Sequence, residues 1–304
     1  MKPAPFAYRR PGSLAEALTT LAGETNAKVL AGGQSLVPLL SMRLAAPAVL
    51  VDINGVPGLA GLEVDDAGVR VGALTRHADV LASPEARRVQ PLLAMALQHV
   101  AHATIRNRGT TVGSIVHADA AAEMPVVLKL LGGSIEAESV SGRRTIAADD
   151  LFLGPLESSV RPDEIAVSAF FPALAPGAGV AFDEIARRHG DYALCGVAAL
   201  VRVDGDRITE ARAGYLSVNE LPTVVDLTDL LAGHVVSTGS TTEALAAAGD
   251  VALAGLDPAE DIHATAAYRA QLVRVLTARV LRAAYDDALT RSTGSTGSTT
   301  EGNA

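Results

Sequence analysis

Residues 31–35, AGGQS, combine two glycines with a hydroxyl side chain at a point where a predicted strand passes into a predicted helix. Such a turn leaves several backbone N–H groups unpaired in one direction, and these groups can hold a phosphate. Glycine lets an anion approach the backbone closely, and the hydroxyl of Ser35 adds a donor. The segment lacks the Gly-Lys-Ser/Thr of a Walker loop and the GxGxxG of a dinucleotide fingerprint. Taken alone, it fits a plain turn better than a phosphate site.

A second segment of the same character lies at residues 109–114, GTTVGS, and leads into IVHAD at 115–119. Two such loops in one domain can hold a ligand with two phosphates from both sides. Asp119 and Glu123 follow closely enough in the sequence to reach the hydroxyls of a ribityl or ribose group. A loop with two solvated charges explains these acids equally well, so both interpretations stay open.

The composition excludes several classes of function. Of the 304 residues, 49% are hydrophobic, which is enough for about two domains with well-buried cores. The formal net charge of −9 argues against nucleic acid as a partner, because a phosphate-binding surface needs an excess of basic residues. The single cysteine, Cys195, excludes an internal disulfide and an iron–sulfur cluster held by this chain alone.

No metal site and no membrane span are predicted. His99 and His102 share a helical face, but an isolated i, i+3 pair of histidines is more typical of packing than of metal binding. The apolar stretches are shorter than a membrane-spanning helix requires, and the N-terminus lacks the apolar core of a signal peptide. We therefore expect a cytoplasmic protein.

The elements that must position these residues follow from periodicity and turn signals, which indicate an α+β protein. The predicted strands are 28–31, 49–53, 68–72, 194–203 and 207–218, and the predicted helices start at Ser13 and cover 36–44, 90–101, 124–131, 241–248 and 264–287. A change of texture near residue 175 predicts an N-terminal domain at 1–175 and a C-terminal domain at 176–288. The low-complexity residues 289–304 are predicted to be a disordered tail.

Longer stretches of the sequence resemble the FAD-binding medium subunit of molybdenum hydroxylases. Residues 27–59, AKVLAGGQSLVPLLSMRLAAPAVLVDINGVPGL, carry the strongest resemblance, to the carbon monoxide dehydrogenase flavoprotein type and the related flavin domain of xanthine dehydrogenase. The segments GALTRH at 72–77, IRNRGTTVGSIVHADAAAEMP at 105–125, RRHGDYALCGVAA at 187–199 and DIHATAAYRAQLVRVLTARVL at 261–281 fit the same family in order. The resemblance covers nearly the whole chain up to about residue 288.

The resemblance implies a fold and a set of site residues. The N-terminal part would be an FAD-binding domain of two small α/β subdomains, the C-terminal part a smaller α+β domain, and FAD would lie between them. Tyr192 would lie beside the isoalloxazine ring without an acid or base role, unless it is a packed core tyrosine. Residues implied to bind FAD are Ala31, Gly32, Gly33, Gln34, Ser35, Leu36, Thr110, Thr111, Gly113 and Ser114 at the diphosphate, with Asp119 and Glu123 near the ribityl or adenosine end.

Two residues depart from the family pattern: Ala120, which stands where proline is usual, is the milder departure, and Val112 is the more serious one. The second loop of the family usually reads Thr-Ile-Gly-Gly-Ser, and here Val112 replaces the first glycine. A β-branched residue is badly suited to a positive φ, and at a point of close approach its methyl groups would crowd a phosphate. Either effect would weaken FAD binding or shift the path of the loop, and loss of FAD stays open as an alternative.

The resemblance also implies a function and partners. The chain would be the electron-transfer subunit of a molybdenum hydroxylase, in a dimer of heterotrimers with an iron–sulfur small subunit and a molybdopterin large subunit. Electrons from two 2Fe–2S clusters would reach the FAD and pass to an external acceptor such as a quinone or oxygen. Because the large subunit selects the substrate, carbon monoxide, a purine, a nicotine-like heterocycle and an aldehyde all stay open. The alternatives are a stand-alone FAD-dependent oxidoreductase and a non-catalytic scaffold that has lost flavin.

Overall fold

The computed structural model describes residues 2–235 and 239–295. The strands are β1 Ala7–Arg9, β2 Ala27–Leu30, β3 Val49–Asp52, β4 Leu62–Val64, β5 Gly68–Gly72, β6 Ser134–Ser139, β7 Gly142–Ala147, β8 Phe152–Gly154, β9 Glu157–Ser158, β10 Ile165–Pro172, β11 Ala178–Ala186, β12 Ala193–Asp204, β13 Arg207–Leu216 and β14 Thr223–Asp226. The helices are α1 Leu14–Gly23, α2 Leu36–Met42, α3 His77–Ala82, α4 Pro84–Val89, α5 Pro91–His99, α6 Ala103–Arg106, α7 Thr111–His117, α8 Glu123–Leu130, α9 Thr228–Leu231, α10 Gly239–Leu253 and α11 Ala266–Ser295. Short 3-10 turns cover Ile53–Gly55 and Ala148–Asp150.

A small parallel sheet of order β1-β3-β2 forms the first unit. Strand β3 pairs in parallel with both neighbours and is buried along its whole length, which fits its apolar residues 49–51. The Ser13 hydroxyl accepts from the Glu16 N–H at 3.2 Å, and the Glu16 carboxylate accepts from the Gly12 N–H at 2.8 Å. This confirms the predicted start of α1 and fixes the helix that covers the sheet.

The second unit is an antiparallel sheet of order β4-β5-β10-β6-β7. Helices α3, α4, α5, α7 and α8 pack against it, and apolar side chains of these helices and of the sheet form the largest core of the described chain, with Leu92, Leu97, Leu128 and Phe171 fully buried. The loop after β2 and the loop before α7 are in contact, because a Cβ atom at Gly32 would lie within 3 Å of backbone atoms of residues 108–110. The fold is thus of the mixed α+β type that the sequence predicts, with two subdomains in the N-terminal part.

A four-stranded antiparallel sheet of order β11-β12-β13-β14 forms the C-terminal unit. Its strands β12 and β13 are joined by the predicted hairpin, in which Asp204 pairs with Arg207 and Gly205 has φ of +61°. Helices α10 and α11 cover one face of this sheet. The predicted boundary at residue 175 falls between β10 and β11.

Helix α8 joins the two halves of the molecule. Its residues Val126, Val127, Leu128 and Leu130 are all fully buried, because α8 packs against its own domain on one side and against β12 and β13 on the other. A Cβ atom at Gly214 of β13 would lie 2.7 Å from Val126 Cγ2, so the glycine permits this close packing. The first residue of α8, Glu123, consequently lies at the seam between the domains.

Helix α11 corrects one prediction. Residues 289–295, assigned by composition to a disordered tail, continue this helix to Ser295. Apolar residues of α11 as far as Ala288 are buried against the sheet, and the last turns extend from this anchored part. Residues 296–304 of the predicted tail lie outside the described residues.

Candidate functional site

The first glycine loop presents unpaired backbone donors. The carbonyl of Gly33, which has φ of +74°, accepts from the N–H of Val37 at 2.9 Å, so helical hydrogen bonding begins inside the loop. Within the described chain, the N–H groups of residues 32–36 donate to no other group. Five adjacent free donors at the start of a helix form an anion-binding arrangement.

The second loop begins the short helix α7. Thr110 is its N-cap, and its Oγ1 accepts from the N–H of Gly113 at 3.2 Å. The N–H of Val112 has no acceptor in the part of the chain that the structure describes, and the hydroxyl of the partly exposed Ser114 is likewise available. This loop therefore offers fewer free backbone donors than the first loop and adds a hydroxyl.

The backbone conformation of Val112 is one that suits a β-branched residue. It lies in α7 with an ordinary helical backbone and not at a positive φ. Its side chain is 2% exposed and packs in the main core with Ile115, so its methyl groups are buried rather than directed to the open side of the loop. The predicted backbone conflict at this position was wrong, because the position belongs to a helix.

The two loops touch each other at Gly32. A Cβ atom on this residue would lie 2.6 Å from the Arg108 carbonyl oxygen, 2.8 Å from Gly109 Cα and 2.9 Å from the Thr110 nitrogen. All three are backbone atoms, which cannot move aside as a flexible side chain can. Gly32 is thus the point at which the tertiary structure holds the loops together.

A buried histidine supports the second loop from behind. His77 Nδ1 lies 3.1 Å from the Thr111 hydroxyl, and the His77 N–H donates to the Gly109 carbonyl at 3.0 Å. Burial, with a smaller contribution from the nearby Arg106, lowers the pKa of His77 to about 4. The ring is therefore neutral at physiological pH, and its contact with Thr111 is a hydrogen bond between uncharged groups.

Replacing Thr111 with valine is expected to lower the free energy of unfolding by about 1–3 kcal/mol, because the buried His77 nitrogen loses its partner. Urea unfolding of the flavin-free chain measures this change. Thr111→Ser keeps the hydroxyl and serves as the matched control. Equal stability of the valine variant and the native chain would contradict the supporting role of this pair.

Acidic residues and a tyrosine meet at the other end of the site. The Asp119 carboxylate accepts from the N–H of Ala121 at 2.9 Å, and the next turn begins α8 at Glu123. Tyr192 comes from the C-terminal domain and is 66% exposed, so it is not a packed core residue. Partial burial, and then the nearby carboxyl groups of Asp119 and Glu123, raise the pKa of Tyr192. The structure thus brings all three side chains to the same region of the interdomain seam.

The loop that carries Tyr192 rests on the N-terminal domain. Gly190, with φ of +86°, packs so closely on His102 that a Cβ atom would lie 2.5 Å from the ring. The rings of His102 and His189 have centroids 5.9 Å apart. His102 is therefore a packing residue between the domains. The predicted common helical face with His99 was wrong, because α5 ends at His99 and His102 is the N-cap of α6.

Two acidic residues, Glu184 and Glu123, lie near the seam. Glu184 of β11 is 5% exposed, its Oε1 lies 3.5 Å from His99 Nδ1, and its Oε2 has no partner among the described residues. Glu123 is close enough to be affected by Glu184: burial first, and then the charge of Glu184, raise the pKa of Glu123 to about 8. Among the described residues no group of three or more His, Cys, Asp or Glu side chains is arranged to hold a metal ion.

Sequence reasoning missed four residues that shape this site. Nothing in the spacing of Glu184 and His77 along the sequence indicates the groups near which they lie. Asn54 and Arg76 connect the two loops through side-chain hydrogen bonds. The one available signal was the position of Asn54 directly after the predicted strand 49–53, where a sheet edge gathers polar residues.

Two adjoining loops with free backbone donors fit a protein that binds a phosphate-containing cofactor, and the comparisons identify the class as a flavoprotein. Residues 4–174 match the model of the FAD binding domain in molybdopterin dehydrogenase. Residues 180–284 match the model of the CO dehydrogenase flavoprotein C-terminal domain. The chain belongs to the family of FAD-binding medium subunits of molybdenum hydroxylases, and it is thus an oxidoreductase subunit.

The sequences and structures of several relatives align with almost the full length of this chain. It is 43% identical to the 6-hydroxypseudooxynicotine dehydrogenase complex subunit alpha of Paenarthrobacter nicotinovorans, over 92% of this chain and 95% of that protein. It is 34% identical to the carbon monoxide dehydrogenase medium chain of Hydrogenophaga pseudoflava, over 94% and 99%. The structure of quinoline 2-oxidoreductase from Pseudomonas putida 86 superimposes with a TM-score of 0.89 at 37% identity, over 95% and 100%. The resemblance described in the sequence is therefore confirmed.

Within residues 2–235 and 239–295, no helix has both the length and the apolar content that crossing a membrane requires.

Proposed function

We propose that the diphosphate of FAD lies between the two glycine loops of this chain. The observation that carries the proposal is the set of five adjacent free N–H groups at residues 32–36, beside a second loop that Gly32 holds in contact. Backbone donors of this kind bind phosphate oxygens without a change in conformation. The hydroxyl groups of Ser35 and Ser114 add donors at the two sides of the same opening.

The remaining site residues have separate roles in this proposal. Glu123 and Asp119 hydrogen-bond the hydroxyls of the ribityl or adenosine part, because they lie beyond the end of the second loop. Tyr192 lies beside the isoalloxazine ring and limits access to one face of it. FAD supplies the capacity to collect electrons and pass them on, whereas the protein orients the ring and leaves one face reachable.

The chain acts as the electron-transfer subunit of a larger enzyme. Electrons reach it from 2Fe–2S clusters on a small subunit, a large subunit with molybdopterin oxidises the substrate, and an external acceptor removes the electrons. Support comes from relatives whose names identify them as medium chains or complex subunits. The single cysteine also supports it, because clusters of this type need several thiolates that this chain does not have. We further propose that the complex is a dimer of heterotrimers and that it is located in the cytoplasm. Within this chain, the boundary between the two domains is proposed to lie near residue 175.

An absorption spectrum of the purified chain, with identification of the flavin released on denaturation, tests the cofactor part of this proposal. Near-stoichiometric FAD is expected. A colourless chain that takes up no added FAD would contradict it and favour the scaffold alternative. Substrate oxidation by this chain without partners would instead favour a stand-alone oxidoreductase.

Co-purification tests the assembly. The native complex, isolated through a tag on this chain, is expected to contain iron and molybdenum along with two further polypeptides. Purification of the chain as a flavin-loaded homo-oligomer without either metal would contradict the proposed assembly while leaving the flavin site intact.

A further inference from the structure

A chain of side-chain hydrogen bonds connects the two glycine loops in addition to their contact at Gly32. Asn54 lies in the 3-10 turn that follows β3, and its Nδ2 donates to the Ala31 carbonyl at 2.7 Å. Its Oδ1 accepts from Arg76 Nη2 at 2.8 Å. Arg76 Nη1 in turn donates to the Arg108 carbonyl at 2.7 Å. One carbonyl from each loop is thus held by the same pair of side chains.

The two side chains are themselves held in place. Asp52 is 8% exposed, and its Oδ1 accepts from the Asn54 backbone N–H at 2.9 Å and from Nδ2 at 2.6 Å. The other Asp52 oxygen accepts from the Tyr8 hydroxyl. The Arg76 backbone N–H donates to the Asp79 carboxylate at 3.1 Å, which fixes the residue at the start of α3. The Asn54 side chain and the Arg76 backbone thus have hydrogen bonds of their own that do not depend on a ligand.

The connection also determines the direction of a backbone donor. In a planar trans peptide the carbonyl of one residue and the N–H of the next point in opposite directions. Since Asn54 holds the Ala31 carbonyl on its own side, the N–H of Gly32 faces away from Asn54. That N–H is the first of the five free donors in the loop.

We propose that Asn54 and Arg76 are positioning residues for the FAD diphosphate, which hold the two loops at the separation and orientation that the diphosphate needs. The proposal rests on the proposed binding of that group between the loops. Neither residue needs to touch the cofactor. They act by keeping the donors in place, so that binding does not have to order the loops first.

The test compares FAD affinity of the flavin-free chain across variants, by flavin fluorescence titration well below the melting temperature. Asn54→Ala and Arg76→Ala are each expected to weaken FAD binding about tenfold or more, since each removes a link worth roughly one to two hydrogen bonds. The double variant Asn54→Ala/Arg76→Ala is expected to bind FAD no more weakly than the single variant with the lower affinity, because the two residues form one connection.

The matched controls are Asn219→Ala and Arg207→Ala. Asn219 donates to Thr223 Oγ1 at 3.0 Å and Arg207 donates to the Gly233 carbonyl at 3.0 Å, both in the C-terminal domain. These variants lose comparable hydrogen bonds and are expected to keep native FAD affinity. A merely structural role of Asn54 and Arg76 would lower the melting temperature and leave the affinity measured on folded protein unchanged.

The outcomes separate this inference from the proposed function. Native FAD affinity in both alanine variants, combined with loss of binding in Gly32→Ala, would overturn the positioning role and leave the site intact. Losses in the two single variants that add up in the double variant would also overturn it, because independent effects do not make a connection. If Gly32→Ala itself binds FAD normally, the location of the diphosphate between the loops is wrong.

Discussion

Replacing Gly32 with alanine is expected to weaken FAD binding by roughly 100-fold or more, the largest effect of any single substitution in the loops. The added methyl group would meet three backbone atoms of residues 108–110 at 2.6 to 2.9 Å. Contacts this short force the two loops apart, because neither backbone can rotate out of the way. A shift of about 1 Å between them would remove the simultaneous contact with both phosphates.

Fluorescence titration of the flavin-free Gly32→Ala chain measures this change, with circular dichroism at the same temperature to show that the chain is folded. Gly23→Ala is the matched control, because Gly23 ends α1 and a Cβ atom there has no neighbour within 4 Å. The control is expected to bind FAD as the native chain does. Native affinity in Gly32→Ala would mean that the cofactor does not use both loops.

The second large effect concerns the pH dependence of folding stability and the acidic residues Glu123 and Glu184. Glu123 has its pKa raised from 4.5 to about 8, chiefly by burial and then by the charge of Glu184. Between these two values the unfolded chain loses a proton that the folded chain keeps. Folding stability therefore falls as the pH rises from about 4.5 to about 8, because the folded state binds more protons over that interval.

His99 contributes in the same direction. Its hydrogen bond with Glu184 raises the pKa of His99, against the opposing effect of burial, and the charge of Asp183 adds to the rise. A histidine whose pKa is raised in the folded state contributes its full stabilisation of that state only when the pH is below the pKa of the histidine in the unfolded chain. That contribution disappears as the pH rises through the folded pKa. The flavin-free chain is thus expected to be most stable on the acid side of neutrality.

Replacing Glu123 with glutamine is expected to remove the main part of this slope. As the pH rises from 4.5 to 8.5, the free energy of unfolding of Glu123→Gln is expected to increase by on the order of 4 kcal/mol relative to that of the native chain. Urea unfolding at several pH values measures the difference between the two chains, so that other titrating groups cancel. The same substitution at the exposed Glu63 of β4 is the control. A difference that stays constant with pH would show that Glu123 is ionised normally in the folded chain.

The strands and turns around the first loop could be predicted from local pattern alone. The apolar run at β3, the capping residues of α1 and the paired glycines before α2 are short-range features, and short-range sterics determine them. The C-terminal end of α11 was predicted too early, because composition indicated disorder where an anchored helix continues to Ser295. A helix that is packed along most of its length can extend through residues with poor helix propensity.

Val112 shows how residue type alone can mislead. Comparison with the family pattern indicated a glycine position, and therefore a need for unusual backbone freedom. The structure places it in the first turn of α7 with its side chain in the core, where a β-branched residue is acceptable. Whether a position needs glycine depends on its φ and its neighbours, and neither is visible in one sequence.

The sequence by itself determined the class of this protein: two phosphate-compatible loops in order, a chain without cluster ligands, and motifs of a flavoprotein family along nearly its full length. Only the tertiary structure decided which atoms meet. Gly32 lies against the backbone of the second loop, Asn54 reaches Arg76, and Glu184 of one domain faces Glu123 of the other. The physical reason is that local sterics and periodicity act over a few residues, whereas these contacts depend on how separately formed sheets pack together.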